Sequence, residues 1–278
     1  MKELENFKDK CVLFYTIGKC KPFAVMRDDD STVLEADSVE ELIELIRTDA
    51  NGRLKWNKRN GVWITHLGRK LFIQNGKMPD GSTYIPKIGS SLSVSCYHPK
   101  KGHYNVTYTV TRASEFQKKL LAAKATCDKK IAWRVDDTHR IRDYKGDKVF
   151  TTKGGSTIAV TPSGDIISVC KNSKDKAGGA DLLKFAVAQG GRKLDSFSGN
   201  YGFYVKCGFE PVSWTRFNKE YAPHDWKEGV HDEEPVIFFK YTGKRTKMTK
   251  DVFLSKVKPC EGENGYDDAM AIRDKSMR

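Results

Sequence analysis

Apolar and polar residues alternate in a series of short runs along the chain, which predicts β-strands rather than long helices. One exception lies near the N-terminus, where Ser38–Glu41 has the sequence of a capping box and apolar residues follow at helical spacing up to Asn51-Gly52. Residues 1–110 are therefore predicted to form a β-rich α+β region. Its predicted strands are Cys11–Ile17, Pro22–Met26, Gly61–His66, Lys70–Gln74, Ser91–Tyr97 and Tyr104–Val110.

After Thr111 helical periodicity appears between the strands. Helices are predicted at Ser114–Lys124, at Ala180–Gln189 and within Ser198–Phe209, the last two ending at glycines. This mixture predicts an α/β (α+β) domain over 111–242, with Pro162–Asp165 as a tight turn. The segment 243–278 has little apolar periodicity and is predicted to be a polar, mobile tail. The strands predicted for the domain are Lys130–Val135, Val149–Thr152, Ser156–Thr161, Asp165–Cys170, Lys193–Phe197, Glu210–Trp214 and Pro235–Tyr241.

Composition narrows the class of protein. The longest apolar runs are far shorter than a membrane span, and the polar N-terminus has no apolar core of a signal peptide. Seven scattered cysteines without C-x-x-C spacing favour reduced thiols, so a cytoplasmic protein is expected. Cys96, His98 and His103 lie close together and a metal site there is conceivable, although a strand followed by a polar turn is the simpler interpretation.

The positive charge is concentrated in one segment. Residues 51–150 carry 21 Lys/Arg against 7 Asp/Glu, whereas the whole chain has a net charge of +13. Such a block is typical of proteins that bind nucleic acid or an acidic protein surface, and a solvated surface is an equally good interpretation. Aromatic residues that lie between the cations could stack on bases or form strand core. They are Trp56, Trp63, Tyr84, Tyr97, Tyr104 and Tyr108.

A strand, a glycine-containing turn and a helix follow one another from Asp165 to Gln189. The first amides of a helix and its dipole attract phosphate, and Lys174 and Lys176 in the turn add positive charge. A Gly-Gly pair before a helix also occurs in simple connections. The turn alone therefore leaves phosphate binding open.

The residues Asn200–Phe209, which read Asn-Tyr-Gly-Phe-Tyr-Val-Lys-Cys-Gly-Phe, add a second motif. Together with the turn they resemble the GNAT superfamily of N-acetyltransferases, over roughly residues 130–242. Lys174 stands where that family has Gln or Arg, Ala177 stands where it has Gly, and Gly179 matches its last small residue. The segment also resembles GNAT-like domains of bacteriophage and prophage proteins.

The resemblance implies a mixed sheet flanked by helices, with acetyl-CoA as co-substrate. The strand ending at Cys170 would splay from Lys193–Phe197, and the pantetheine arm would lie in that gap like an added strand. A backbone N–H near Val169 would polarise the thioester carbonyl, and the amides of 174–179 would hold the pyrophosphate. The cofactor residues that it implies are Val169, Cys170, Lys174, Lys176, Ala177, Gly178, Gly179 and Asn200.

For catalysis, the resemblance implies that Tyr204 protonates the departing thiolate. The same residue could simply pack the helix onto the sheet. The general base is not identified, with Asp165 and Asp195 as the available carboxylates. Cys207 is interpreted as a buried, inert thiol.

The predicted function is acyl transfer from acyl-CoA to an amine on an unknown acceptor. The alternative is a weakly active or inactive GNAT-like, phage-associated protein that binds nucleic acid through residues 51–150. A packaging or structural role in a phage is a third reading, and it depends on the phage resemblance alone.

Overall fold

The computed structural model describes residues 87–98 and 102–277, and before them strands at 12–14, 23–26, 33–36, 61–66 and 69–74. Strands β1 (Val12–Phe14), β2 (Phe23–Met26) and β3 (Val33–Ala36) form an antiparallel sheet in that order. The helix predicted after Ser38 lies outside the described residues.

A seven-stranded antiparallel sheet follows, in the order β10-β9-β8-β7-β6-β4-β5. Strands β4 and β5 form a hairpin, and β9 and β10 form another across the turn predicted at Pro162–Asp165, which is confirmed. Strands β6 and β7 also pair antiparallel. The sheet is continuous across residue 110, where the sequence predicted a domain boundary. Its strands are β4 (Gly61–His66), β5 (Arg69–Gln74), β6 (Ser91–His98), β7 (Gly102–Val110), β8 (Lys148–Thr152), β9 (Thr157–Val160) and β10 (Ile166–Cys170).

A third sheet contains β11 (Lys193–Phe197), β12 (Phe209–Thr215) and β13 (Val236–Tyr241) in the order β11-β13-β12. The last strand therefore lies between the other two and is buried from both sides, with Phe238 and Phe239 fully covered. Before β12 the chain turns at Gly208, whose φ of +90° favours glycine.

Helices cover both faces of the seven-stranded sheet. Helix α1 (Ala113–Lys124) buries Phe116 and Leu120 on one face. Helix α2 (Gly179–Ala188) lies on the other, where Phe185 stacks on Tyr108 with ring centroids 3.7 Å apart. The short helix α3 (Tyr201–Lys206) follows β11. The described part of the chain is thus a mixed α+β protein whose main core lies between α2 and the sheets.

The predicted strand at Lys130–Val135 is wrong. The chain forms a 3₁₀ turn at Ala132–Arg134 there, and the buried indole of Trp133 donates to the carbonyl of Lys130 at 3.1 Å. The Trp133 ring also packs on Phe197, with centroids 4.7 Å apart. Burial of this one large ring outweighs the weak alternation of the segment.

The prediction of a mobile polar tail is also wrong. Helices α4 (Lys250–Lys256) and α5 (Gly265–Lys275) form after Gly243, and α5 packs on β12 and β13. Phe253 of α4 is fully buried. The hydroxyl of Ser213 in β12 donates to the carbonyl of Ala269 in α5 at 2.6 Å. This segment therefore completes one face of the third sheet.

Candidate functional site

Strands β10 and β11 start side by side and then part. A single parallel bridge joins Asp165 to Lys193. Beyond it, among the strands that the structure describes, β10 pairs only with β9 and β11 pairs only with β13. The seven-stranded and three-stranded sheets therefore enclose a wedge that opens toward the ends of β10 and β11.

Ion pairs hold the closed end of this wedge. The Asp165 carboxylate lies 3.3 Å from Lys193 Nζ and 2.9 Å from Nη2 of Arg273, which is 1% exposed. Asp165 is therefore committed to two cations, which argues against it as a general base. Because Arg273 belongs to α5, the C-terminal segment helps to fix the spacing of β10 and β11.

The wedge contains a cleft of about 1310 Å³. Five of the predicted site residues line it, and the remaining four, Lys174, Lys176, Ala177 and Gly178, do not. Further walls come from the turn at Ala132–Arg134, the loop after β12 and the start of α5. The five lining residues are Val169, Cys170, Gly179, Asn200 and Tyr204.

A bulge interrupts β10 beside the cleft. The register of β10 against β9 shifts between Ile167 and Cys170, and Ser168 has a left-handed φ of 51°. Such a conformation costs a non-glycine residue on the order of 1–3 kcal/mol and recurs at functional sites. The surroundings fix it, because the Ser168 hydroxyl lies 2.9 Å from that of Tyr144 and its carbonyl accepts from Thr157 at 3.1 Å.

β10 is the edge strand of its sheet, so its outer edge faces the cleft. An edge strand carries backbone N–H and C=O groups that can pair with an added extended chain. The cleft wall near Val169 is therefore a surface on which an extended ligand can form hydrogen bonds.

The loop after β10 differs from the row of free amide donors that its sequence suggests. Asp175 anchors this loop through the Thr152 hydroxyl. At the start of α2, the amides of Gly179 and Ala180 have no backbone or side-chain acceptor among the described residues. Four other amides are occupied locally: Lys174 and Asp175 each donate to Asn172 at 3.0 Å, Ala177 donates to Asp175 at 3.0 Å and Gly178 to Asp181 at 2.8 Å.

Tyr204 lies on the α3 side of the cleft and is 9% exposed. Its ring packs against Phe239, with centroids 5.5 Å apart. Its hydroxyl lies near that of Ser196, which accepts a hydrogen bond from Asn200 Nδ2 at 3.0 Å. Burial raises the pKa of Tyr204 to about 12, so the hydroxyl keeps its proton at neutral pH and can donate it. The Asn200 side chain therefore holds Ser196 next to Tyr204, and it makes no side-chain cap to α3.

Asp195 also lines the cleft, and it lies on the face of β11 opposite to Ser196. Successive side chains of a strand point to opposite sides, so Ser196 faces α3 while Asp195 faces α5. The Tyr266 hydroxyl of α5 lies near the Asp195 carboxylate. Burial raises the pKa of Asp195, against the opposing effects of the Tyr266 hydroxyl and the Arg273 charge. The Asp195 carboxylate, which can accept a proton, and the Tyr204 hydroxyl, which can donate one, therefore line the same cleft on the two sides of β11.

Cys207 is not part of the cleft lining. Burial raises the pKa of its thiol to about 11, which makes it a poor nucleophile at neutral pH. The interpretation of this residue as an inert thiol agrees with that environment.

The described part of the basic segment 51–150 uses several of its cations internally. Buried Lys124 pairs with Asp137 at 3.0 Å and Asp225 at 3.1 Å, and Arg134 pairs with Glu234. Of the aromatics predicted to stack on bases, Tyr108 is fully buried against α2.

Among the described residues, no group of three His, Cys, Asp or Glu side chains could hold a metal ion. Within the same part of the chain, no helix has the length and apolar character required to cross a bilayer. Comparison with family models, curated proteins and solved structures finds no match to the chain.

Proposed function

We propose that the protein is an acyl-CoA-dependent N-acyltransferase with a GNAT-like fold, and that the reaction takes place in the cleft between β10 and β11. The parting of these two strands beyond Asp165 and Lys193 is the observation that carries the proposal. The GNAT resemblance implies a gap at this place for the pantetheine arm, and the chain has a cleft there, lined by Asn200 and Tyr204 of its second motif.

The cofactor is proposed to lie along the outer edge of β10. Its pantetheine arm would pair with the backbone near Val169 as an added strand does. Its pyrophosphate would meet the free amides of Gly179 and Ala180, where the dipole of α2 is positive. Lys171, which follows β10 and lines the cleft, adds a cation to the cleft wall.

In the proposed reaction the amine nitrogen attacks the thioester carbonyl carbon, and the carbon–sulfur bond breaks as the carbon–nitrogen bond forms. The amine loses one proton to Asp195, and the departing thiolate takes one from Tyr204. The raised pKa of Asp195 makes its carboxylate a better proton acceptor near neutral pH. The products are an amide and free CoA.

The nucleic-acid alternative depends on the charge of segment 51–150. In the described part of that segment Lys124 and Arg134 are paired internally and Tyr108 is core. No described feature of this segment forms a second site of comparable definition, so acyl transfer is the function proposed.

The transfer is tested with acetyl-CoA labelled in its acetyl group, offered with spermidine and with a mixture of lysine-containing peptides. The proposal predicts labelled amide together with one equivalent of free CoA. Tyr204→Phe is the matched control, because it keeps the ring and removes the hydroxyl. CoA release without a labelled amide, at the same rate in both proteins, would show only adventitious hydrolysis and would contradict the proposal.

A further inference from the structure

Two thiols meet on the wall of the cleft. Cys127 Sγ lies 3.7 Å from Cys170 Sγ, and both residues line the cleft. The cysteines are 43 residues apart and come from different elements, the turn after α1 and the end of β10. We propose that Cys127 and Cys170 form a reversible disulfide, which makes this wall of the cleft a redox-modification site.

The local structure allows the bond to form. A disulfide needs the sulfurs at about 2.05 Å, so the pair must close by less than 2 Å. Cys170 is fixed in a strand and is 2% exposed, whereas Cys127 is half-buried in a turn outside regular structure. A rotation about the Cα–Cβ bond of Cys127, with a small shift of its turn, can supply this movement.

Because Cys127 is the more exposed of the two thiols, it reacts first with a small disulfide from solution. The Cys127 thiolate attacks one sulfur of a small disulfide such as oxidised glutathione and releases one molecule of the reduced thiol. Cys170 then loses its proton, attacks Cys127 Sγ and releases the second. Two protein thiols are oxidised, and one small disulfide is reduced to two thiols.

The disulfide would also stiffen the loop after β10. The neighbour of Cys127, Thr126, already accepts a hydrogen bond from the amide of Ser173 at 2.9 Å. The turn after α1 and loop 171–178 are therefore already in contact, and the disulfide adds a covalent link beside this hydrogen bond. If the proposed function holds, oxidation then fixes the wall next to the phosphate end of the cofactor.

The test uses the full chain, incubated with oxidised glutathione, alkylated in acid and digested with trypsin without reduction. The proposal predicts a cross-link between tryptic peptides 125–129 and 154–171 that dithiothreitol reverses. Cys170→Ser should trap a glutathione adduct on Cys127, and Cys127→Ser should leave Cys170 as a free thiol. Cys260→Ser is the control, since Cys260 lies beside Thr215 of β12, and it should keep the cross-link.

Amide exchange gives an independent readout, because loop 171–178 should exchange more slowly in the oxidised protein than in the reduced one. Wild-type protein that stays folded by circular dichroism yet keeps both thiols free to alkylation would overturn the proposal. So would a stable glutathione adduct on Cys127 beside a free Cys170. These readouts need no acyl-CoA, so their results do not depend on the outcome of the acyltransferase assay.

Discussion

Asp165 and Lys193 join β10 to β11 twice, through a parallel backbone bridge and through an ion pair of 3.3 Å between Lys193 Nζ and Asp165 Oδ2. The strands diverge immediately beyond this pair. The same carboxylate also pairs with Arg273, so one acidic residue connects two sheets and the C-terminal helix. The width of the cleft depends on this junction.

Replacing Asp165 by Asn should destabilise the protein by roughly 1–3 kcal/mol, because the buried guanidinium of Arg273 loses this partner and keeps Asp274, 2.8 Å from its Nε. Urea unfolding followed by circular dichroism measures the loss. Glu261→Gln is the control, since Glu261 and its partner Arg216 are 62% and 68% exposed and such pairs are worth at most about 1 kcal/mol. Equal losses of unfolding free energy in the two variants would contradict a stabilising role for the ion pairs of Asp165.

Gly199 and Gly202 provide a matched pair for packing beside the cleft. A Cβ on Gly199 would lie 2.5 Å from the Arg134 guanidinium and 2.7 Å from the Glu234 carboxylate, whereas a Cβ on Gly202 meets nothing within 4 Å. Gly199→Ala should therefore cost about 1–3 kcal/mol. Gly202→Ala, within α3, should stabilise by up to about 1 kcal/mol. Thermal unfolding of both variants checks the contrast.

Asp195→Asn should lower activity and raise stability at the same time. Since the folded pKa of Asp195 is raised, the stability that this group contributes is full below its ordinary value near 3.9 and is lost as pH rises through the folded pKa. At pH 7 the buried charge therefore costs free energy, and Asn removes that cost while it can still accept from Tyr266. The gain in unfolding free energy should shrink as pH falls toward 4.

The rate of acyl transfer should fall by on the order of 10²-fold in Asp195→Asn. Wild-type kcat/KM should decline on the acid side as Asp195 takes up its proton, and the variant should lack that limb. A variant that loses stability and keeps its activity would show that Asp195 is a structural carboxylate.

Tyr204→Phe should lower kcat by roughly 10²–10⁴-fold with little change in CoA affinity, because the ring stays in place and only the proposed proton donor is lost. The hydroxyl lies near Ser196 in a buried setting, so stability should change by about 1 kcal/mol at most. Steady-state kinetics and CoA titration separate the two effects. An unchanged kcat would remove Tyr204 from the mechanism.

Most strands from Ser91 onward were predictable, because alternation and turn residues marked their limits. The C-terminal helices could not be predicted from the sequence. Each buries only a few side chains, and one of the residues that α5 buries, Arg273, is charged. A polar sequence can therefore pack when its buried charge has a partner such as Asp165.

The candidate site was predictable where its residues are contiguous. Asn200 and Tyr204 belong to one motif and both line the cleft. The position of Asp195 depends on which face of β11 it occupies, and its partner Tyr266 comes from a helix that the sequence did not indicate. The number of loop amides available to a phosphate was overestimated. Asp175 and Asp181 accept hydrogen bonds from the amides of Ala177 and Gly178, which the spacing of the sequence does not reveal.

Thermal unfolding during a titration with acetyl-CoA tests the central claim most directly. A ligand that binds only the folded chain stabilises it by about 2.7 kcal/mol at a hundredfold excess over its Kd, which corresponds to a rise of roughly 5–10 °C in Tm. ATP, which has the nucleotide and phosphates without the pantetheine arm, should give a much smaller rise. An unchanged Tm at millimolar acetyl-CoA, or an equal rise with ATP, would contradict an acyl-CoA site between β10 and β11.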